Sequence, residues 1–327
     1  MKGNVIYANA RAKACETKIL ASDRLVRMID CATADEAIKV LNEINFGEGV
    51  SIANTLEFEK LIQAEMVKFY DFVKEVCPDE SLKKYLLLPA DYANAQALIR
   101  AKYLKNNPAV MLTAEGLYTC DYLKTKINSD DYSAFPKGLA KALLTADNLF
   151  VYGQATGAKL DTAFNQALYE DLFDCAMTNS DLKEIFAVKV DAINVGIALR
   201  TRNYEQFLNM RVKGGKIPDK LFKMLCEEDV EVIKSSLSFK DYADLILRAL
   251  QDFVENKPLS TLEKYADDYS VSYFKKTLYD TSSKKPFMLY CFYRLNEFKN
   301  VRIVMVGLIN GFDKAQIKQR VRDCYAG

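Results

Sequence analysis

The chain contains no histidine. Ser-His and Cys-His relays, imidazole metal ligation and the usual general base near neutral pH are therefore excluded. An excess of charge of one sign is also missing. The 45 Lys and Arg residues meet 44 Asp and Glu, which leaves no footprint for nucleic acid and no long basic run for a membrane surface. A bilayer-spanning helix needs about 18–20 apolar residues in succession. The longest uncharged run, 148–158, falls well short of that. The opening Met1-Lys2-Gly3-Asn4-Val5-Ile6-Tyr7-Ala8 lacks the apolar core of a signal peptide and soon meets Arg11, Lys13 and Glu16, so a cytoplasmic location is expected.

Paired cysteines are absent too. Cys15, Cys31, Cys77, Cys120, Cys175, Cys226, Cys291 and Cys324 are scattered tens of residues apart, as buried reduced thiols would be, and not at the short spacing of metal or redox motifs. Gly47-Glu48-Gly49 lacks the third glycine of a dinucleotide fingerprint, and in 153–159 the lysine is followed by Leu160, not by Ser or Thr. Both read as turns. Asp130-Asp131 and Asp267-Asp268 look like halves of magnesium-binding acidic motifs. The further carboxylate such motifs need is replaced by Ala134 and Val271. No catalytic residue, cofactor or metal ligand is expected.

What is present is a repeat. Asp91, Asn94, Leu98 or Ile99, and Arg100 recur as Asp191, Asn194, an aliphatic run and Arg200, at a step of 100 residues. A third, weaker copy lies 106 residues beyond Asp191, with Glu297, Asn300 and Met305, and Val306 at the Arg position. A second marker runs out of phase with the first: Asp23-Arg24-Leu25, Asp121-Tyr122-Leu123 and Asp219-Lys220-Leu221 stand 98 and 98 residues apart, each followed by an aliphatic residue one turn later. The chain accordingly divides into three lobes, 1–112, 113–213 and 214–327. Asn106-Asn107-Pro108 and Gly214-Gly215 with Pro218 mark the boundaries.

Within each lobe the pattern is helical. Helix is expected over 7–28 and 34–44; a long amphipathic helix over 56–76 carries Phe58, Ile62, Met66, Phe69, Val73 and Val76 on one stripe. Asp91 is read as the N-cap of the next helix, after Pro89. Lobe two repeats this order, with the Asp191 helix running on through 201–204. Lobe three carries helices over 219–226, 242–253 and 261–279, one begun by Pro286, and a last one from Asp313 to Tyr325. No alternating strand pattern is present, so the fold class is all-α. For the repeated polar residues, capping (Asp91, Asp191), helix-to-helix hydrogen bonding (Asn94, Asn194, Asn300) and interlobe pairing (Arg100, Arg200) outweigh direct partner contact. Catalysis by them is remote.

These motifs have a family likeness. Asp-Tyr-x-Asn before an aliphatic-Arg-Ala helix, the Asn and Leu-Arg-Thr-Arg helix in the middle, Glu297-x-x-Asn300-x-Arg302-Ile303 near the end, and the opening Tyr7-Ala8-Asn9-Ala10-Arg11-Ala12-Lys13-Ala14 together resemble the C subunit of the A-type and V-type ATP synthases, whose eukaryotic counterpart is the vacuolar ATPase d subunit. The sequence departs from the commonest family pattern at Ala93 and in the missing third Arg. The resemblance implies a funnel of three helical lobes in pseudo-three-fold arrangement on the cytoplasmic face of the membrane rotor ring. It implies a coupler between the central-stalk subunits, D and F in type, and the proteolipid ring. Because they are the best-matched segments among the lobes, the helices bearing Asp91, Asp191 and Glu297 are expected to face the central cavity of that funnel. The rival readings are a generic helical scaffold, disfavoured because solenoid repeats run about 33–47 residues, and an all-helical metal-dependent transferase.

Overall fold

A computed structural model describes residues 4–105, 107, 111–237, 242–255 and 259–325. Of the break expected at 106–108, Asn106 and Pro108 lie outside the described residues. Among the described residues there are sixteen α-helices, one 3-10 turn and no strand, and they group into two compact units.

The first unit joins both ends of the chain, 1–79 and 263–327. Its helices are α1 (Val5–Glu16), α2 (Ser22–Asp30), α3 (Ala34–Glu43) and α4 (Glu59–Val76), then α15 (Lys285–Ile309) and α16 (Lys314–Arg320), with most of α14 (Ser260–Lys275). The hub is α15, which packs on α1, α2, α3, α4 and α16. Its side of the core is aromatic: Phe287, Tyr290 and Phe298 meet Phe69 and Phe72 of α4 at centroid separations of 5.3–6.4 Å. Of the amphipathic stripe expected over 56–76, Phe58, Ile62, Phe69, Val73 and Val76 are buried and Met66 is half-buried; the α-helix itself begins at Glu59, after a 3-10 turn at Thr55–Glu57. Asn9 pins α1 to the start of α15. Its amide donates to the carbonyls of Thr281 and Ser283, and its oxygen accepts from the Phe287 N–H.

The second unit, 80–262, is one continuous stretch. It contains α5 (Glu80–Leu104), α6 (Cys120–Asn128), α7 (Lys137–Val151), α8 (Gly157–Met177), α9 (Ser180–Thr201), α10 (Tyr204–Met210), α11 (Asp219–Glu227), α12 (Val230–Ser236) and α13 (Ala243–Val254). Helix α8 lies against α5, α7 and α9, while α9 carries α10, α11 and α13. Phe186 of α9 sits among Tyr85, Tyr169 and Phe173.

Several local expectations are corrected. Residues 7–28 are two helices, not one, because the chain turns through 17–21 so that Ile19 and Leu20 are buried and the Leu20 N–H is captured by a side chain of another helix. Asp91 caps no helix of its own. Pro89 is accommodated inside α5, which starts at Glu80, and Asp91 and Asp191 both lie in helix interiors. Helix α9 stops at Thr201 instead of running on: Arg202 takes the left-handed conformation, at φ 46°, where its guanidinium donates to the carbonyls of Leu225 and Glu228. The helix begun at Ser260 ends at Lys275, short of 279, and α16 ends at Arg320, short of Tyr325.

Asn179 caps α9, accepting from Asp181 N and Leu182 N at 3.0 and 3.2 Å. Asn179→Ala should lower stability by about 1 kcal/mol, measured by urea unfolding with an unchanged m-value.

Candidate functional site

The repeated polar residues form three clamps of one design. Residues three apart lie on the same face of a helix, so each long helix presents a carboxylate and a carboxamide side by side. On α5, Asp91 accepts from the N–H groups of Leu117 and Tyr118 at 2.9 and 3.1 Å. Asn94 accepts from Thr113 N at 2.8 Å and donates to the carbonyls of Thr113 and Ala114. On α9, Asp191 accepts from Lys216 N and Ile217 N, and Asn194 both accepts from and donates to the Val212 backbone, at 3.0 and 2.8 Å. On α15, Glu297 accepts from Leu20 N at 2.7 Å, and Asn300 accepts from Arg322 N and donates to its carbonyl at 2.7 and 3.0 Å. All six side chains are buried.

Each clamp fixes the entry to a marker helix: α6 after 113–118, α11 after 212–217, and α2 after Leu20. The two recurrences seen in the sequence are therefore the two sides of one contact. The carboxylates cap neither their own helix nor the short one: they hold the one or two residues just before its N-cap, which is Ala21, Thr119 or Pro218. An amide N–H buried without a partner costs about 1–3 kcal/mol, a penalty that the Asp and Asn side chains remove. Clearance matters as well. A Cβ on Gly116 would lie 2.5 Å from Asp91 Oδ1, and one on Gly215 would lie 2.0 Å from Asp191 Oδ1. From the sequence Gly215 reads only as part of a lobe boundary and Gly116 carries no reading, although they stand 24 and 25 residues beyond their Asp partners.

The arginines differ among the copies. Arg100, together with Gln96, holds Asp161 of α8 at 2.6 and 2.8 Å. Arg200 is exposed and its Nε donates to the Gly196 carbonyl of its own helix at 2.9 Å. The third copy lacks the Arg but is not without the contact. Arg302, at the offset of Gln96 one turn earlier, grips Glu59 of α4 with two bonds of 2.6 and 2.9 Å. A shift of four residues along a helix keeps the same face, which explains how Val306 is tolerated.

The third carboxylate stands in a buried ionic group unforeseen from the sequence. Arg294 of α15 bridges Glu297 and Glu65 of α4, the latter at 2.7 Å, and Glu65 also accepts from Gly47 N at 3.1 Å. Burial pushes the Glu297 carboxyl above its ordinary range against the pull of Arg294. Burial acts on Glu65 in the same direction, but the Arg294 and Lys68 cations outweigh it and hold that carboxyl below its ordinary range. The acidic pairs are engaged by cations of the chain itself. Asp130 bonds Lys102, Asp131 bonds Lys126, Asp267 bonds Lys299 and Arg322, and Asp268 bonds Lys264. Among the described residues no group of three or more Cys, Asp or Glu side chains is arranged to hold a metal ion.

Three clamps, each made by a long helix on the entry to a short one, follow one pattern over almost the whole chain. Residues 8–320 match the ATP synthase (C/AC39) subunit family. The chain belongs to that family. Similar curated proteins are the A-type ATP synthase C subunit of Desulfurococcus sp. (strain SY), 23% identical with 96% of this chain and 89% of that protein covered, and that of Methanocaldococcus jannaschii, 23% identical with 95% and 84% covered. The V-type sodium ATPase C subunit of Enterococcus hirae is 20% identical, with 95% of each chain covered. In this C/AC39 chain the position of family departure, Ala93, is exposed, on a different face of α5 from Asp91 and Asn94.

Gly215→Ala should force the α9 clamp open and cost about 1–3 kcal/mol in chemical unfolding, with Gly116→Ala behaving alike at α5. Burial pushes the Asp191 carboxyl up to about 6 against the pull of the Lys216 and Ile217 amides. A folded-state value raised above the unfolded one means stability present at acid pH and lost as pH rises through about 6. Wild type should thus gain on the order of 2–3 kcal/mol relative to Asp191→Asn between pH 7 and pH 4, read from paired denaturation curves.

Proposed function

We propose that this chain is a non-catalytic rotor subunit of an A/V-type ATPase or ATP synthase: a socket that seats the central stalk on the membrane ring and passes torque between them during ATP-linked proton or sodium transport. The match to the C/AC39 family over 8–320 carries this reading. The partners are the stalk subunits, D and F in type, and the proteolipid ring, with the chain on the cytoplasmic face. Among the described residues no helix is long and apolar enough to cross a membrane, which suits a peripheral position.

The chemistry supports coupling over catalysis. The polar residues of the repeat bond the chain's own backbone, and the carboxylate pairs bond its lysines and arginines. Densely packed helices transmit strain, and the clamps make each short helix follow its long one. In this reading the chain consists of three lobes, 1–112, 113–213 and 214–327, and exposed positions of α5, α9 and α15 face the cavity that receives the stalk.

Tagging the chain, isolating it from native membranes in mild detergent and identifying stoichiometric companions tests the proposal. Stalk subunits and proteolipid ring should both be recovered. Recovery of neither, from membranes holding an intact rotary ATPase, would overturn it.

A further inference from the structure

In the first two clamps one continuous segment supplies both bonded stretches: 113–118 serves Asn94 and Asp91, and 212–217 serves Asn194 and Asp191. The third clamp is different. Asn300 holds Arg322, three residues before Tyr325, while Glu297 holds Leu20, near the other end of the sequence. Aligned on the Asn-bound residue, 323–325 stand where 114–116 and 213–215 stand in the other copies. The next position, filled by Leu117 or Lys216 there, is taken here by Leu20. The two ends meet directly, with Ser22 N donating to the Tyr325 carbonyl at 2.9 Å.

We infer that these two ends form a latch: the segment leading into α2 and the segment after α16 open and close as one unit, separately from the two clamps made on continuous chain. Further bonds run across the same seam. Lys318 pairs with Asp30 at 3.0 Å and Lys314 donates to the Asp30 carbonyl, while Asn296 of α15 holds the C-terminal segment itself, donating to the Asp323 carbonyl at 3.0 Å. The seam is incompletely filled. A cleft of about 570 Å³ lies along it, with Leu25, Val26 and Ile29 of α2 on one side and Val321 and Cys324 on the other. In the continuous clamps a freed Asn-bound residue stays tethered within a few residues of the Asp-bound ones, so reclosure is nearly unimolecular in a short loop. In the latch no covalent link of that kind exists, and release of either end removes the Ser22–Tyr325 bond and the Asp30 contacts that hold the other beside it. Helix α1 lies outside the repeat and serves as the strap that keeps the N-terminal end in place, through Asn9.

Amide hydrogen exchange on the full-length chain tests this. Glu297→Ala and, separately, Asn300→Ala should each speed exchange at both Leu20 and Arg322 by about tenfold or more, though each touches only one of them. The amides of Leu117, Tyr118, Lys216 and Ile217 should keep their wild-type rates. Acceleration confined to the residue that lost its own bond, or shared by all six amides, would overturn the latch. Should either variant fail to fold, wild-type exchange in low denaturant decides the matter. Leu20 and Arg322 should share one opening free energy, below that of the other four amides, and two unrelated values would contradict the proposal.

Discussion

The structure depends on a buried side-chain acceptor taking the backbone N–H groups of a segment that has no helix or sheet to satisfy them. Asp91, Asp191 and Glu297 each do this, and in each case an Asn one turn along reads both the donor and the acceptor of a further residue. A carboxamide that both gives and receives at one backbone residue fixes the direction of that segment as well as its position. Because the segment leads straight into a short helix, two bonds set where that helix begins. The apolar contacts of α5, α9 and α15 then bury its aliphatic face: Leu25 and Ile29, Leu123 and Ile127, Leu221 and Leu225.

The three copies show how much of this design can vary. The Asp of the first two copies approaches the backbone closely enough to require Gly116 and Gly215, whereas the third copy uses the longer Glu and reaches a segment from the other end of the sequence. That longer carboxylate is balanced by Arg294, itself shared with Glu65, so the third clamp ties α4 and α15 together; at the first, Arg100 and Gln96 hold Asp161, and at the second Lys216 of the held segment pairs with Glu184 of α9. Burying an ionic triad adds little net stability, since desolvation offsets most of the attraction. What it contributes here is specificity of arrangement: removing one member would leave an uncompensated buried charge, so the helices hold one register.

Much of this was legible in the sequence. The all-helical class followed from apolar spacing and from the lack of alternation, and the repeats of Asp, Asn and the marker Asp pointed to the right long helices. The roles of those residues were not legible, because the Asp at the start of a helix-like stretch looks the same whether it caps that helix or reaches across to another. Pro89 made the error natural, since proline usually ends a helix and here sits inside one. The break at 17–21 was hidden for a related reason: its cause is Glu297, 277 residues away, and good helix formers fill the surrounding sequence. Arg302 was visible but misaligned, as its function moved one turn along the helix from the position of Arg100. Of the Arg294 group only the three-residue spacing of Arg294 and Glu297 is local, while Glu65 stands 229 residues away from Arg294.

Under the proposed coupling role, the repeat-defining Asp, Glu and Asn side chains serve the chain's own backbone and partner binding falls to exposed positions. Alanine substitution at Asn94, Asn194 and Asn300, with stability and partner capture measured on the same samples, is the most direct test. Each variant should lose about 2–4 kcal/mol of unfolding free energy, since both a backbone N–H and a carbonyl lose their buried partner, while the folded fraction captures stalk and ring as wild type does. Unchanged stability with lost capture would contradict that division of labour, and would place these residues at the partner interface.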